Sequence, residues 1–501
     1  MTVTTRGAPE RSFTRLRMVL VLAFLAVACS AQAPVPAQPG PRLYAPTETR
    51  TLRSFGAVGD GRRDDTAAVQ RALDQSDLHC LDGQGASYRV VGTLSAAKDL
   101  CLRNATLRQD LPPFDTTRYI RRRCPATQDA EAVLDCGDAG IPGGVAAALG
   151  AAIGVRTLLI RPNDGGTKLR VFLDRVKIDR GRHPEGGSRT DSAGIWLDEA
   201  ARVDLRNVEI TGDGKGFGLL ISRSSNITLD NLFVHDLVWS PYRGDTPLKE
   251  SEVSARGWNA VPIHEFRNWG AQANRPKFYG VRIQEQLVCV GLVNVTHVRI
   301  HRTRIQRCMA RFASRDLPWQ TDGISIGGTS RDIRITDSSV ESAWEGIDVV
   351  AGGTGIDDLV IDNFSARDSF SFGVKLGYQL RNSRLSRLTV TNSGLAGIVI
   401  YGSVDKAVVE GAKVDNVGVI NVKATPFYPW PAATRAGVRI DEAAHGVPRN
   451  ILLRDVQVAQ RVPGPGYQFG LLNNGGKAVR AERFDAKGFT LELRRNNPTT
   501  L

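Results

Sequence analysis

The chain has 501 residues, 42% hydrophobic and 23% charged, with 51 glycines and 7% aromatics; this is a globular composition with ample material for a core, and it excludes a disordered chain. The formal net charge of +13 comes from scattered Lys and Arg without a basic stripe, which argues against nucleic acid and fits an anionic polymer or cell envelope. Abundant glycine with few aromatics suits many short strands joined by tight turns.

At the N-terminus, Arg6, Arg11, Arg15 and Arg17 precede an apolar run at 18–28 and then Cys29. That order is an export signal, and the run is too short to span a membrane as a mature helix. Residues 25–29, Leu-Ala-Val-Ala-Cys, resemble a bacterial lipoprotein box. The resemblance implies a lipid on Cys29 and an exported protein held at the outer or cytoplasmic membrane, in the periplasm or cell envelope; plain cleavage nearby, with release outside the cell, is the alternative. Residues 30–46, rich in Pro, Ala and Gln, read as an extended tether. Six further cysteines form three close pairs, Cys80 with Cys101, Cys124 with Cys136 and Cys289 with Cys308, and an oxidising compartment permits disulfides. Two of those separations approach one turn of the repeat described below, which would stack the sulfurs on adjacent rungs. No ligand spacing for a structural zinc is present, and no metal site is assigned.

The folded domain is expected over 47–495. It opens at 53–73 with a short strand, a Gly-rich turn and an amphipathic helix from Asp65 to Leu73, capped by Asp64, Asp65 or Thr66. The string FGAVGDGRRDDTAAVQRAL resembles the N-terminal cap of the pectate-lyase superfamily of right-handed parallel β-helices, which includes polygalacturonases, rhamnogalacturonases and epimerase-like proteins. The resemblance implies an all-β solenoid with an N-terminal capping α-helix, and does not by itself name a reaction.

An internal repeat follows in which glycine precedes an alternating apolar strand: Gly194-Ile-Trp-Leu, Gly218-Leu-Leu-Ile, Gly280-Val-Arg-Ile, Gly323-Ile-Ser-Ile, Gly346-Ile-Asp-Val, Gly373-Val-Lys-Leu, Gly397-Ile-Val-Ile and Gly437-Val-Arg-Ile. Such a period is one solenoid coil per repeat. Alternation sends Ile324, Ile326, Ile347, Val349, Val374 and Leu376 to the core. The residue between each apolar pair then forms an outward ladder, Trp196, Leu220, Arg282, Ser325, Asp348, Lys375, Val399, Arg439. A second column, just before each glycine, runs Ala193, Phe217, Tyr279, Asp322, Glu345, Phe372, Ala396, Ala436. Ionisable groups gather on the middle rungs. Two insertions, at about 240–278 and 419–435, are aromatic-rich; Trp258 and Trp269 in the first could stack on sugar faces.

Asp322 and Glu345 share a repeat position one rung apart, so repulsion between their carboxyls would raise one pKa toward a general acid, as glycoside hydrolysis requires. Gln320-Thr-Asp-Gly323 resembles the Asn-Thr-Asp-Gly motif of family 28 polygalacturonases, and Trp344-Glu345 falls at that family's Asp-Asp pair. The family's Gly-His-Gly aligns with Ser371-Phe-Gly373, without the histidine. Its Arg-Ile-Lys aligns with Val399-Ile-Tyr401, without either cation. The expected catalytic set is Asp322, Glu345, Asp348 and Lys375, with Tyr279, Arg282, Arg439, Trp258, Trp269 and Tyr401 binding a polysaccharide, most readily an acidic one. Hydrolysis needs no cofactor. Uronate elimination or epimerisation, with Arg282 or Lys375 neutralising the carboxylate, Tyr279 as acid and calcium as a helper, is the alternative enzyme; a non-catalytic polysaccharide-binding envelope protein is the alternative outside enzymes.

Overall fold

A strand with one apolar edge, returning every coil to the same position, can bury that edge only by stacking on the next coil. The computed structural model describes residues 48–110, 156–164, 166–181, 193–213, 216–239, 242–243, 246–247, 287–311, 316–317, 321–418, 435–443, 446–461, 469–489 and 491–495. Its strands run from Thr49–Thr51 to Leu491–Arg495, and their long-range pairing is parallel almost throughout. This is a parallel β-helix; a right-handed winding is the sense that parallel connections between twisted strands take.

Each middle coil makes three strands. One lies in the sheet that carries the ladder, for example Ala193–Asp198, Gly216–Ser222, Phe372–Gly377 and Ala396–Tyr401. The second lies in a middle sheet with Ala200–Arg206, Ser225–Asp230, Leu380–Ser386 and Asp405–Glu410, and the third in a sheet with Phe233–Trp239, Thr389–Ser393 and Lys413–Val417. The turn from second to third strand is made by one left-handed residue, such as Asn207, Asn231, Asn363 or Arg387. Asn tolerates that conformation through its short polar side chain. The same side chains stack between coils, Asn231 Nδ2 donating to Asn207 Oδ1 at 2.8 Å.

Ile195, Leu219, Val290, Ile324, Ile347, Val374, Ile398 and Val438 are fully buried, as are Ile326, Val349 and Leu376. Inward-facing apolar side chains thus form one continuous core along the coil, as alternation requires. The ladder register is Trp196 opposite Leu220, Leu220 opposite Gly291, Gly291 opposite Ser325, and then Asp348, Lys375, Val399 and Arg439 in succession. This corrects one rung of the sequence reading. The strand between Gly218 and Gly323 is Leu287–Val293, so Gly291 fills the ladder slot expected for Arg282, and Val288 fills the column slot expected for Tyr279. Both segments alternate apolar residues, and stacking selects the one whose inner residues, Leu287, Val290 and Leu292, complete the core.

The glycines before each ladder strand face inward at the tightest point of the coil. A Cβ on Gly346 would lie 2.4 Å from the Gly373 carbonyl oxygen and 3.0 Å from Ala366 Cβ, and one on Gly323 would lie 2.5 Å from the Gly346 carbonyl oxygen. The glycine turns its own Cα inward, so the residue before it points out.

At the N-terminal end, Thr66–Leu73 is the expected helix, with Ala68, Val69, Ala72 and Leu73 buried against the first coils. Asp64 supplies the cap, its Oδ1 accepting from the Thr66 backbone N–H at 2.9 Å and from its hydroxyl at 2.5 Å. Asp65 instead accepts from the Val58 and Gly59 N–H groups at 2.6 and 3.0 Å, folding the Gly-rich turn onto the helix. The expected short strand at 53 is a 3-10 turn, Leu52–Phe55.

Cys80 and Cys101 are disulfide-bonded across adjacent coils, with Cα atoms 4.6 Å apart. Cys289 and Cys308 are also bonded, at 6.6 Å, but not as stacked neighbours. Cys289 takes the inward glycine position and Cys308 lies on the strand Arg304–Arg311 of the same coil, so this bridge crosses the core. Cys29, Cys124 and Cys136 lie outside the described residues, as do both aromatic insertions apart from Arg435 and from Tyr242–Arg243 and Thr246–Pro247, the last two pairing antiparallel.

Two measurements test this packing. Gly346→Ala is expected to lose about 1–3 kcal/mol in urea unfolding through overpacking, whereas Gly327→Ala, whose Cβ would meet nothing closer than 3.5 Å, stays near wild type. Replacing Cys80 and Cys101 together by Ser should remove roughly 3 kcal/mol, the amount associated with closing a loop of this size. A Gly346→Ala protein as stable as the parent would contradict the close-approach argument.

Candidate functional site

Three columns of side chains cover the outer face of the ladder sheet. The residue before each inward glycine gives Asp322, Glu345 and Phe372; the ladder proper gives Ser325, Asp348 and Lys375; and two residues further along each strand come Gly327, Val350, Gly377, Tyr401 and Asp441. Ile324 stands opposite Ile347, so Asp322 and Glu345 occupy successive rungs of one column.

Lys375 gathers the cluster. Its Nζ lies 3.0 Å from Glu345 Oε2 and 2.9 Å from Asp348 Oδ1, ion-pair distances without the alignment of good hydrogen bonds. These groups are buried although they sit on the outer face: Asp322, Glu345 and Asp348 retain 4%, 4% and 2% exposure. Trp344, immediately before Glu345, stacks on Phe370 at 4.8 Å and makes that corner apolar. Lys375, with 17% of its side chain exposed, and half-buried Tyr401 reach the surface.

Burial pushes the Glu345 carboxyl up to about 8, against the opposing pull of Lys375 and with the help of Asp348, which acts by its charge and by a side-chain hydrogen bond. The direction follows from desolvation of a charged carboxylate beside a second one. The sequence reading assigned the repulsion to Asp322; the structure makes Asp348 the carboxylate coupled to Glu345, with Asp322 adding to the field at Lys375. Burial alone would lower Lys375, but Asp348 and Glu345 outweigh it and hold the ammonium well above its ordinary value. At neutral pH Glu345 therefore carries a proton while Lys375 is charged.

Tyr401 closes the cluster from two rungs beyond Asp348. Its ring lies over Gly377, where a Cβ would come within 2.4 Å of it, and its centroid is 5.8 Å from Lys375 Nζ. Burial, with the hydrogen bond to Tyr378, holds its phenol far above the usual range, so Tyr401 is a neutral wall for the ammonium and not a base. Tyr378 packs edge-on at 5.1 Å; no sequence signal marked it, because its left-handed backbone, φ 59°, is imposed by the turn it occupies.

Arg439 lies two rungs beyond Lys375, 8% exposed, and is bound to Asp441 on its own strand. Asp441 also accepts from Asn474 Nδ2 at 2.8 Å. Tyr279, Arg282, Trp258 and Trp269 lie outside the described residues. Among the described residues no group of three His, Cys, Asp or Glu is placed to hold a metal ion. Between Glu345 and Asp348 an ammonium stands where a shared calcium would need to sit, so these residues do not fit that ion. An open groove of about 720 Å³ lies on the middle sheet instead, but its Arg384 and Arg387 are paired with Glu410 and Asp362, and it holds no comparable buried group.

No protein-family model matches the chain, and no curated protein matches it. Among solved structures it is similar to the surface protein and adhesin PfbA of Streptococcus pneumoniae, with a TM-score of 0.48 and 11% identity over 89% of this chain and 99% of that one. It is also similar to a family 28 exopolygalacturonase of Yersinia enterocolitica, at TM-score 0.38 and 10% identity over 89% and 78%. A third is an endo-xylogalacturonan hydrolase of Aspergillus tubingensis, at TM-score 0.35 and 14% identity over 86% and 91%. Likenesses this distant lend no weight to an activity. The strand pairing of this chain itself gives the architecture, a parallel β-helix with a buried acid and ammonium cluster on one outer face.

Proposed function

We propose that the protein is an exported carbohydrate-active enzyme that hydrolyses glycosidic bonds of an acidic polysaccharide. The observation that carries this reading is the Glu345–Lys375–Asp348 cluster, in which a carboxyl protonated at neutral pH lies beside a carboxylate and a fixed ammonium. Glu345 donates its proton to the leaving glycosidic oxygen. Asp322, on the preceding rung of the same column, serves as the partner carboxyl that activates water or attacks the anomeric carbon. Lys375 orients Glu345 and Asp348 and presents positive charge to a substrate carboxylate. A raised acid beside an ionised partner is what glycoside hydrolysis requires.

The same cluster favours hydrolysis over uronate elimination or epimerisation. Elimination with Lys375 or Tyr401 as the proton acceptor is disfavoured, because Lys375 is held protonated beside Asp348 and Glu345 while Tyr401 keeps its phenol proton. A purely binding role has no use for a buried, protonated acid whose partners are Lys375 and Asp348 and not turn amides. Export fits the two disulfides and the basic, apolar and Cys29 order of the N-terminus, with a lipid on Cys29 as the finer reading.

Asp322→Asn and Glu345→Gln are each expected to lower kcat on a cleaved acidic polysaccharide by about a hundredfold or more while leaving binding nearly unchanged, because the swaps keep size and remove the ionisable function. Lys375→Ala should raise KM for acidic polymers. Reducing ends formed without unsaturated-uronate absorbance support hydrolysis; the absorbance would mean a lyase. Full activity in both carboxylate variants would falsify the site.

Glu345 also predicts a pH dependence of stability. Its folded pKa, about 8, exceeds the ordinary value of 4.5, so between these values the folded state binds more protons than the unfolded one. The stabilisation is complete below about pH 4.5 and is lost as pH rises through about 8. Glu345→Gln should flatten that decline in urea midpoints measured from pH 5 to 9, and an unchanged slope would show that Glu345 is not the buried acid.

A further inference from the structure

One column on the outer face of the middle sheet carries no acid across six successive coils: Arg334, Val360, Arg384, Val408, Leu452 and Arg480. Val360, Val408 and Leu452 are half-buried, so the column is open to solvent along its length. The groove of about 720 Å³ lies at its start, with Val360 between Arg334 and Arg384. Arg384 turns its guanidinium aside, donating to Glu410 Oε2 at 2.8 Å. What remains exposed is a narrow apolar strip with a guanidinium at either end.

The cations at the two ends are not spent on carboxylates. Among the described residues Arg334, 57% exposed, comes no nearer an acid than Asp332 at 3.9 Å, and that carboxylate already holds Arg299 at 3.0 Å and His297 at 2.9 Å. At the far end Arg449 stands opposite Asp405 on one side and Lys477 on the other. Asp405 accepts from Asn450 Nδ2 at 2.7 Å instead. Arg449, Lys477 and Arg480 are exposed and make no ion pair among the described residues. Like charges facing each other across a sheet are destabilising, so folding gains nothing from Arg449 beside Lys477. The acids along the strip are occupied, Asp362 by Arg387, Glu410 by Arg384 and Glu482 by Arg454. The acids left without an ion pair, Asp358, Asp405 and Glu442, are outnumbered by the four end cations together with Arg331 and Lys406.

We propose that this face of the middle sheet is a second, non-catalytic binding site for an anionic polysaccharide, whose chain lies along the coil axis over Val360, Val408 and Leu452. The sugar rings rest on the apolar strip, and their carboxylates or sulfates meet Arg334 at one end and Arg449, Lys477 and Arg480 at the other. The ends are five coils apart, about 24 Å at the usual spacing of strands, which asks for a polymer and not a single sugar. Cations this thinly spread suit a sparsely charged chain. Duplex nucleic acid carries one charge per about 1.7 Å of axis and would set phosphates against Asp362, Glu410 and Glu482. The strip has no aromatic side chain to stack on a base or to enter a bilayer. The site goes beyond the hydrolase reading and does not depend on it, since it holds the polymer on a different sheet from Glu345.

Binding is the readout, in a Glu345→Gln background so that no polymer is cut. Affinity for polygalacturonate, alginate and hyaluronan is measured by isothermal titration calorimetry at low and at raised salt. Changing Arg449, Lys477 and Arg480 together to Gln should weaken binding of a bound polymer about tenfold or more and flatten its salt dependence, and Arg334→Gln should act in the same direction. Arg304→Gln with Lys413→Gln, two exposed cations of the third sheet without an ion pair among the described residues, should leave Kd within about twofold. Lys477→Gln removes a repulsion, so it should be at least as stable as the parent in urea, and lost affinity is then not lost fold. Unchanged affinity in the triple variant, an equal loss in the third-sheet control, or no polymer bound by the parent would overturn the site. Tighter binding of duplex DNA or of phosphatidylglycerol vesicles would overturn the choice of partner. Reducing ends released by the parent and not by Glu345→Gln test the hydrolase reading separately, so either can fail alone.

Discussion

The close approach of successive coils at the inward glycines is the constraint on which the rest of this molecule depends. At Gly323, Gly346, Gly373, Gly397 and Gly437 a Cβ would fall 2.4 to 2.9 Å from the carbonyl oxygen of the corresponding residue one coil on. A side chain there would hold the coils apart or spoil the parallel register. With the glycine turned inward, the preceding residue is turned outward at the edge of the sheet. Asp322 and Glu345 thus project into the site as a by-product of how the coil closes. Cys289 puts a side chain at the glycine position of its own rung, and it is disulfide-bonded to Cys308 on the same coil.

The site works against the stability of the fold that presents it. Two carboxyls and an ammonium with little exposure lose most of their hydration, and their mutual attraction offsets only part of that loss. The molecule lowers the penalty by leaving Glu345 protonated beside the charged Lys375. An acid held neutral at pH 7 is a strained arrangement for folding and a suitable one for proton donation. The Tyr401 ring, with Tyr378 packed edge-on against it, forms a neutral wall beside Lys375. By contrast the arginines of the middle sheet, such as Arg387 with Asp362 and Arg384 with Glu410, are exposed cross-coil pairs, each worth little on its own.

The outer face of the ladder sheet is divided along its length. Trp196, Leu220 and Phe217 are bulky and flanked by arginine; Gly291, Ser325 and Gly327 are small; Asp322, Glu345, Asp348 and Lys375 are ionisable; Tyr401 and Arg439 close the far side. A solenoid allows this division because each rung contributes side chains at one level of the axis, with neighbours only above and below. Outward side chains at one level can therefore be altered without disturbing the inward residues that share the strands.

Much of this was legible in the sequence, because alternation and a repeated glycine are local consequences of the fold. The inward set Ile324, Ile347 and Val374, the outward pair Asp348 and Lys375, the helix at Thr66–Leu73 and the partnership of Cys289 with Cys308 all follow from patterns a few residues long. Two segments with the same alternation could not be told apart that way: Gly280-Val-Arg-Ile fits the repeat as well as Leu287–Val293, and only stacking against Gly216–Ser222 and Thr321–Glu341 chooses the latter. The exchange of Asp322 for Asp348 as the partner of Glu345, the crossing of the core by the second disulfide, and the turn of Tyr378 toward Tyr401 likewise depend on distances between coils. The amino-acid sequence by itself determined which residues face in or out, since that is set by the period of a strand; which outward groups meet was decided by the tertiary structure, since side chains from different rungs touch only once the register and burial of the whole stack are fixed.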